Sequence, residues 1–232
     1  MPLNISGTTV TSNIIKSLEY RNITLSGLRL YYDMSIPACY NGIGTTIYDI
    51  AANGFNGTLT NGPTFSSTNG GSIVFDGSND YIELNTASII SGNQSFTIES
   101  FYTITGANGG ALFGNYGPGN TSNTIWFSGQ YGIYINGSCY AASAPITSGT
   151  HHMVATRDSN GVVKLYLDGS LSNTATLNAS IATSVNYRIG TDVASTLEPF
   201  SGNLYSIRVY NRDLSLNEIL HNYNIQKTRF GL

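Results

Sequence analysis

From Gly27 onward, apolar residues come in short runs, many alternating with polar ones, and each run stops at a cluster of Gly, Asn, Ser or Asp. Such runs are GLRLYYDM (27–34), SIVF (72–75), YIEL (81–84), SFTIESFYTI (95–104), GALF (110–113) and NTIWF (123–127). They continue with GIYI (132–135), HHMVAT (151–156), VKLYL (163–167), NYRIG (186–190) and LYSIRVY (204–210). Alternation with a period of two places successive side chains on opposite faces of a strand. Many short strands with turn formers between them predict an antiparallel sandwich or barrel. LDGS (167–170) reads as a hairpin, because a two-residue type I′ turn needs positive φ at both centres, and NGS (136–138) reads the same way.

One stretch changes period. In DLSLNEILHNYN (213–224), Ser215 and Glu218 form a capping box, each side chain satisfying a backbone N–H that the helix start leaves unpaired. Leu216, Ile219, Leu220 and Tyr223 then recur at i, i+3, i+4 and i+7, so this helix is expected to pack that face on the body. Residues 1–24 carry only a thin apolar thread (Ile5, Val10, Ile14, Ile15, Leu18, Ile23) and read as an N-terminal arm, either a frayed end or a segment that docks on a neighbouring subunit. The domain proper is expected over 25–232.

Composition narrows the setting. The 232 residues are 41% hydrophobic, enough for a core, yet only 10% are charged, well below the roughly 25% of ordinary soluble domains. Solubility therefore rests on Asn, Ser, Thr, Gly and Tyr, a surface suited to β-rich proteins that work outside the cytoplasm or within assemblies. The net charge is −3 and basic residues are not clustered, which argues against a nucleic-acid partner. The first residues lack the basic and apolar regions of a signal peptide, and no run approaches the roughly 18 apolar residues of a membrane span. Cys39 and Cys139 pair only if the fold brings their Cα atoms within about 7 Å, and unpaired thiols are the expectation.

Four segments, taken in order, resemble a known family: SIVFDGSNDYIEL (72–84), SFTIESFYTI (95–104), HHMVATRDSNGVVKLYLDGSL (151–171) and FSGNLYSIRVYNRDLSLNEI (200–219). Together they resemble the laminin-G-like jelly-roll domains of the concanavalin A-like lectin/glucanase superfamily, over about residues 25–228. The resemblance implies an all-β sandwich of two antiparallel sheets, roughly a dozen strands, with one sheet concave. The Asn/Gly-rich stretch 31–67 and the ending NYNIQKTRFGL (222–232) resemble versions found in bacteriophage and other viral structural proteins. That likeness implies a virion surface protein, decorating a capsid or carried on a tail fibre, in contact with other virion subunits and homo-oligomeric. Release by lysis would reconcile an outside-type surface with the missing signal peptide. The chain departs from the family twice. Thr150 stands where a Trp often precedes the HHMVA strand, and Tyr205-Ser206 stands where an acidic residue often helps hold a metal.

Three chemistries bear on these residues. Glycoside hydrolysis needs two carboxylates flanking one bond, and SFTIESFYTI offers Glu99 alone, with Glu83 and Asp80 on or beside another strand; no enzyme is expected. His151 and His152 are adjacent on a strand and must point to opposite faces, so they do not chelate together. Calcium takes six to eight oxygens, and Asp76, Asn79 and Asp80 supply such groups from one turn, with Asp33 or Asp49 as further donors. The same residues equally make a polar turn whose side chains bond their own backbone. Sugar binding needs aromatic faces and planar amides, for which Tyr40, Asn41, Tyr116 and Tyr131 are the loop candidates; the same tyrosines also suit a subunit interface. Two functions are therefore expected as alternatives: a non-enzymatic virion surface protein with an adhesion or assembly role, and a free lectin-like module for cell-surface glycans, with calcium as its candidate cofactor.

Overall fold

The computed structural model describes residues 22–105, 110–115, 125–128, 132–135, 138–141, 149–181, 185–191 and 199–232. Among them, sixteen strands build two eight-stranded antiparallel sheets, the all-β sandwich expected from the sequence. In the first sheet β14 (Ser170–Thr176), β13 (Val162–Leu167), β12 (Gly149–Arg157), β7 (Phe96–Ile104), β16 (Ser201–Tyr210), β5 (Ser72–Asp76) and β4 (Thr64–Ser66) lie in that order. The eighth strand, β1 (Leu28–Asp33), pairs with residues 206–210 of β16, whereas β5 pairs with residues 201–204. The second sheet runs β11 (Ser138–Ala141), β10 (Gly132–Ile135), β9 (Ile125–Ser128), β8 (Ala111–Gly114), β15 (Arg188–Ile189), β6 (Tyr81–Leu84), β3 (Gly57–Thr60) and β2 (Thr46–Ile47).

Alternation sorts each strand between core and outside. Phe96, Ile98 and Tyr102 of β7, with Ile207 and Val209 of β16, meet Ile82, Leu84, Phe113 and Ile189 of the second sheet in one core cluster. β2, β3, β4 and β14 lie outside the runs picked out by pattern, because GTLT, TFS and SLSNTAT are threonine- and serine-rich and their burial is slight. The hairpin at LDGS has φ of 49° at Asp168 and 79° at Gly169, the positive values that its turn demands.

The outer face of the first sheet is covered by helix α1 (Leu216–Gln226), whose capping box forms as expected. Its buried face, however, differs from the apolar stripe in the sequence. Ile219, Asn222 and Gln226 are buried, while Leu216 is 48% exposed. The sheet beneath presents Glu99, Arg208 and nearby Asp33, all buried, and such charges require amide partners rather than methyl groups. Tyr223 still packs, stacking on Phe101 and His152. At the domain's start, Ile23 is buried, Thr24 N donates to Asn222 Oδ1 at 2.9 Å, and His221 Nε2 donates to the Asn22 carbonyl at 2.6 Å. The remainder of the arm, 1–21, lies outside the described residues. Because Ser215 Oγ accepts from Glu218 N while Glu218 Oε2 accepts from Ser215 N, Ser215→Ala should lower stability by about 1 kcal/mol. A urea midpoint equal to that of the parent protein would show that the cap contributes nothing.

Candidate ligand-binding surfaces

Glu99, the acid on the longest candidate strand, is closed off. Its Oε1 bonds His152 Nε2 at 2.7 Å, its Oε2 accepts from Asn222 Nδ2 at 2.9 Å, and Arg208 Nε lies 3.3 Å away. Arg208 Nη2 donates to Gln226 Oε1 at 2.8 Å, and Gln226 Nε2 passes the chain on to Asp33 Oδ2 at 3.0 Å. Arg229 Nη1 closes it at Asp33 Oδ1, 3.0 Å. Burial alone would raise the Glu99 carboxyl, but Arg208, the His152 bond and Asn222 outweigh it and hold the group below the usual carboxylate range. A carboxylate with no exposed surface and every oxygen engaged binds α1 to the sheet rather than facing a substrate.

The two histidines do point to opposite sides of β12. His152 is enclosed under α1, while His151 Nδ1 bonds Asp168 Oδ2 at 2.9 Å. Burial would raise Asp168, yet its bond to His151 and the His152 N–H hold it low.

Asp76, Asn79 and Asp80 share one turn between β5 and β6. Asp76 Oδ1 accepts from Ser78 N at 2.7 Å, Asp80 Oδ2 accepts from Asp76 N at 3.0 Å, and the Asn79 carbonyl accepts from Asn61 Nδ2 at 2.9 Å. One oxygen of each carboxylate thus serves the turn's own backbone, and burial raises the Asp80 pKa. The suggested further donors are engaged elsewhere. Asp33 holds Arg229 and Gln226, and Asp49 accepts from the N–H groups of Tyr31, Ala51, Asn53 and Phe55. Among the described residues no three His, Cys, Asp or Glu side chains gather as metal ligands. Calcium, which takes six to eight oxygens, would have to draw its remaining donors here from backbone carbonyls and water. Cys39 is a buried free thiol, its pKa pushed up by burial.

Of the aromatic candidates, Tyr40 and Asn41 come together in a cleft of about 400 Å³ formed by the loop between β1 and β2, with Tyr48 on its wall. Tyr116 and Tyr131 lie outside the described residues.

A second surface depends on strand pairing that no local pattern shows. Strand pairing lays Thr46, Thr58, Glu83, Arg188 and Gly114 in one row across the outer face of the second sheet. The backbone register continues the row through position 126 to Tyr134. Arg188 Nε donates to Glu83 Oε2 at 2.6 Å, and the guanidinium carbon sits 4.1 Å from the centre of the Tyr81 ring. Both ion-pair side chains remain 23% exposed. The alternation of YIEL does place Tyr81 and Glu83 outward. Arg188, however, is 105 positions from Glu83, a distance that only the pairing of β6 with β15 closes.

Solved structures share this architecture. Domain 4 of AbnA, a GH43 extracellular arabinanase from Geobacillus stearothermophilus solved with arabinotriose, is 19% identical with a TM-score of 0.61, over 85% of this chain and 98% of that one. Trypanosoma rangeli sialidase with 2,3-difluorosialic acid is 15% identical with a TM-score of 0.68, over 95% of this chain but 39% of the sialidase. The binding domain of Paraclostridial Mosquitocidal Protein 1 is 15% identical with a TM-score of 0.60, over 85% of this chain and 52% of that one. At such identities the likeness speaks for the fold alone. No curated protein sequence matches the chain. Residues 76–220, more than half of its length, match the Laminin_G_3 family, and the chain belongs to the concanavalin A-like lectin/glucanases superfamily.

Proposed function

We propose that the protein is a non-enzymatic, lectin-like domain that binds glycans on the open face of its second sheet. The observation that carries this reading is the Arg188 guanidinium, 4.1 Å from the centre of the Tyr81 ring and paired with Glu83, with both ion-pair side chains partly exposed on the outer side of the sheet. Its planar fork, with one donor committed to Glu83, suits a pair of sugar hydroxyls or a sugar carboxylate, and the exposed Thr58 hydroxyl lies in the same row. Domain 4 of the arabinanase, similar in fold over nearly its whole length and solved with arabinotriose, supports the same class of ligand. The non-enzymatic reading rests on Glu99, which has no access to a groove. On a glycan array carrying neutral and acidic oligosaccharides, Arg188→Ala should lower retained binding about tenfold, the scale of 1.4 kcal/mol, with the melting curve kept. Unchanged binding by the folded variant would refute the site.

The setting we favour is a virion surface, with the domain bound to other subunits as a homo-oligomer. The charge-poor, Asn/Ser/Thr-rich composition and the resemblance to bacteriophage structural proteins support it. Labelling of purified particles with an antibody against the domain tests it; particles free of label, with the protein found only in the soluble fraction, would leave the free lectin.

A further inference from the structure

The cleft at Tyr40 and Asn41 lies at the side of the sandwich where the sheets end in β4 and β2. Its walls include Tyr40, Asn41, Ile43, Thr45, Thr46 and Tyr48, and none of its lining residues is an acid or a base. The loop is already set. Tyr40 OH donates to the Gly44 carbonyl at 2.7 Å, Ile43 N to Asn41 Oδ1 at 3.1 Å, Tyr48 N to the Cys39 carbonyl at 2.8 Å, and Leu59 N to the Thr45 carbonyl at 2.7 Å. Gly42 turns the chain at φ 82°, and a Cβ there would meet the Phe65 ring at 2.9 Å. A cleft held this way binds without first paying for loop ordering.

The chemistry of the walls selects the ligand. A charged group entering here would lose water and meet no counter-charge. A purely apolar segment would offer nothing to the Asn41 Nδ2 group or to the Thr45 and Thr46 hydroxyls. A neutral sugar satisfies both kinds of wall, its C–H face against the Tyr48 ring, which is 54% exposed, and its hydroxyls toward the Asn41 amide and the threonines. The volume of about 400 Å³ falls within the range of small-molecule sites.

The cleft also joins the open face. Ile47 is buried, so Thr46 beside it faces outward and heads the row that leads through Thr58 and Glu83 to Arg188. Three strand spacings separate Thr46 from Arg188, about 14 Å at roughly 4.8 Å each. We infer that the cleft is a neutral-sugar subsite for the far end of an oligosaccharide whose near end sits at Arg188. This inference rests on the proposed glycan site and extends it.

The test is chain-length dependence. Arabinan, xylan, glucan and galactan fragments of two to six residues are titrated calorimetrically into the full chain and into its Tyr48→Ala and Arg188→Ala variants. Affinity should rise at least tenfold from disaccharide to the longer fragments. Tyr48→Ala should remove most of that rise while leaving disaccharide affinity within twofold, and Arg188→Ala should weaken every length. Asn41→Ala serves as the second variant should Tyr48→Ala shift the melting curve. A rise that survives both cleft variants, or no rise in the parent protein, overturns the subsite while leaving the Arg188 site standing. Binding of acidic array members alone has the same meaning. Equal affinities for the parent and Arg188→Ala overturn the site itself. A dimer that Tyr48→Ala dissolves without altering chain-length dependence would make the cleft a contact between copies, and would overturn the subsite too.

Discussion

Glu99→Ala is expected to destabilise the protein by about 3–5 kcal/mol, the usual cost of removing one member of a buried ion pair. The magnitude follows from what stays behind. Arg208 has no exposed surface, and without Glu99 its guanidinium loses its direct carboxylate partner, keeping the amide oxygen of Gln226, the Tyr31 ring at 5.5 Å and the more distant charge of Asp33. His152 Nε2 and Asn222 Nδ2 lose partners at the same stroke. Because Asn222 and Gln226 are the polar contacts that seat α1, the helix should loosen first, seen as faster amide exchange over 216–226 than in the sheets. Urea denaturation checks the energy, and a loss below about 1 kcal/mol would mean that apolar packing around Ile219 and Leu214 holds the helix alone.

The same pair sets a pH dependence. The Glu99 carboxyl is held below its unfolded value, so its contribution is complete above the unfolded pKa of about 4.3 and is lost as pH falls through the lower, folded pKa. Glu218 behaves alike, its bond to Arg212 drawing it down to about 2. Asp49 and Asp80 have the opposite sign, since burial raises their folded pKa values and protonation relieves them. The stability gap between the parent protein and Glu99→Ala should therefore be widest near neutrality and narrow below about pH 4. A gap that stays constant down to pH 2 would contradict this assignment.

Gly71→Ala is the second large effect, about 3 kcal/mol. Gly71 has φ of 127° and ψ of 139°, where a side chain adds backbone strain on the order of 1–3 kcal/mol. An added Cβ would also land on the Met34 carbonyl and lie 3.3 Å from the Phe65 ring, so backbone must move, at a typical further 1–3 kcal/mol. That movement would disturb the C-terminal clamp as well, because the Gly71 carbonyl accepts from Arg229 Nη2 at 2.6 Å. Gly44→Ala is the control. Gly44 has φ of 79° with nothing within 4 Å of an added Cβ, so it should lose only the conformational part, about 1–2 kcal/mol. Equal losses at the two positions in a thermal melt would show that the Met34 contact does not matter.

Local order is what the chain's pattern carried. Alternation marked most of the core strands, Asp168-Gly169 marked its hairpin, and Ser215 with Glu218 marked the helix start, because each depends on residues within a few positions of one another. The helix face and the open surface depend on longer separations. Leu216 looked like a core residue, yet the surface beneath α1 is charged, and buried charge drew Asn222 and Gln226 inward instead. Tyr40 and Asn41 were recognisable as aromatic and amide in a loop, but their cleft exists because β2 and β4 end the two sheets beside it. Glu83 and Arg188 were two unrelated residues in sequence. Which strands lie side by side is settled by burial of the whole core, so only the tertiary structure could set that guanidinium over Tyr81 and align it with the threonines that lead to the cleft.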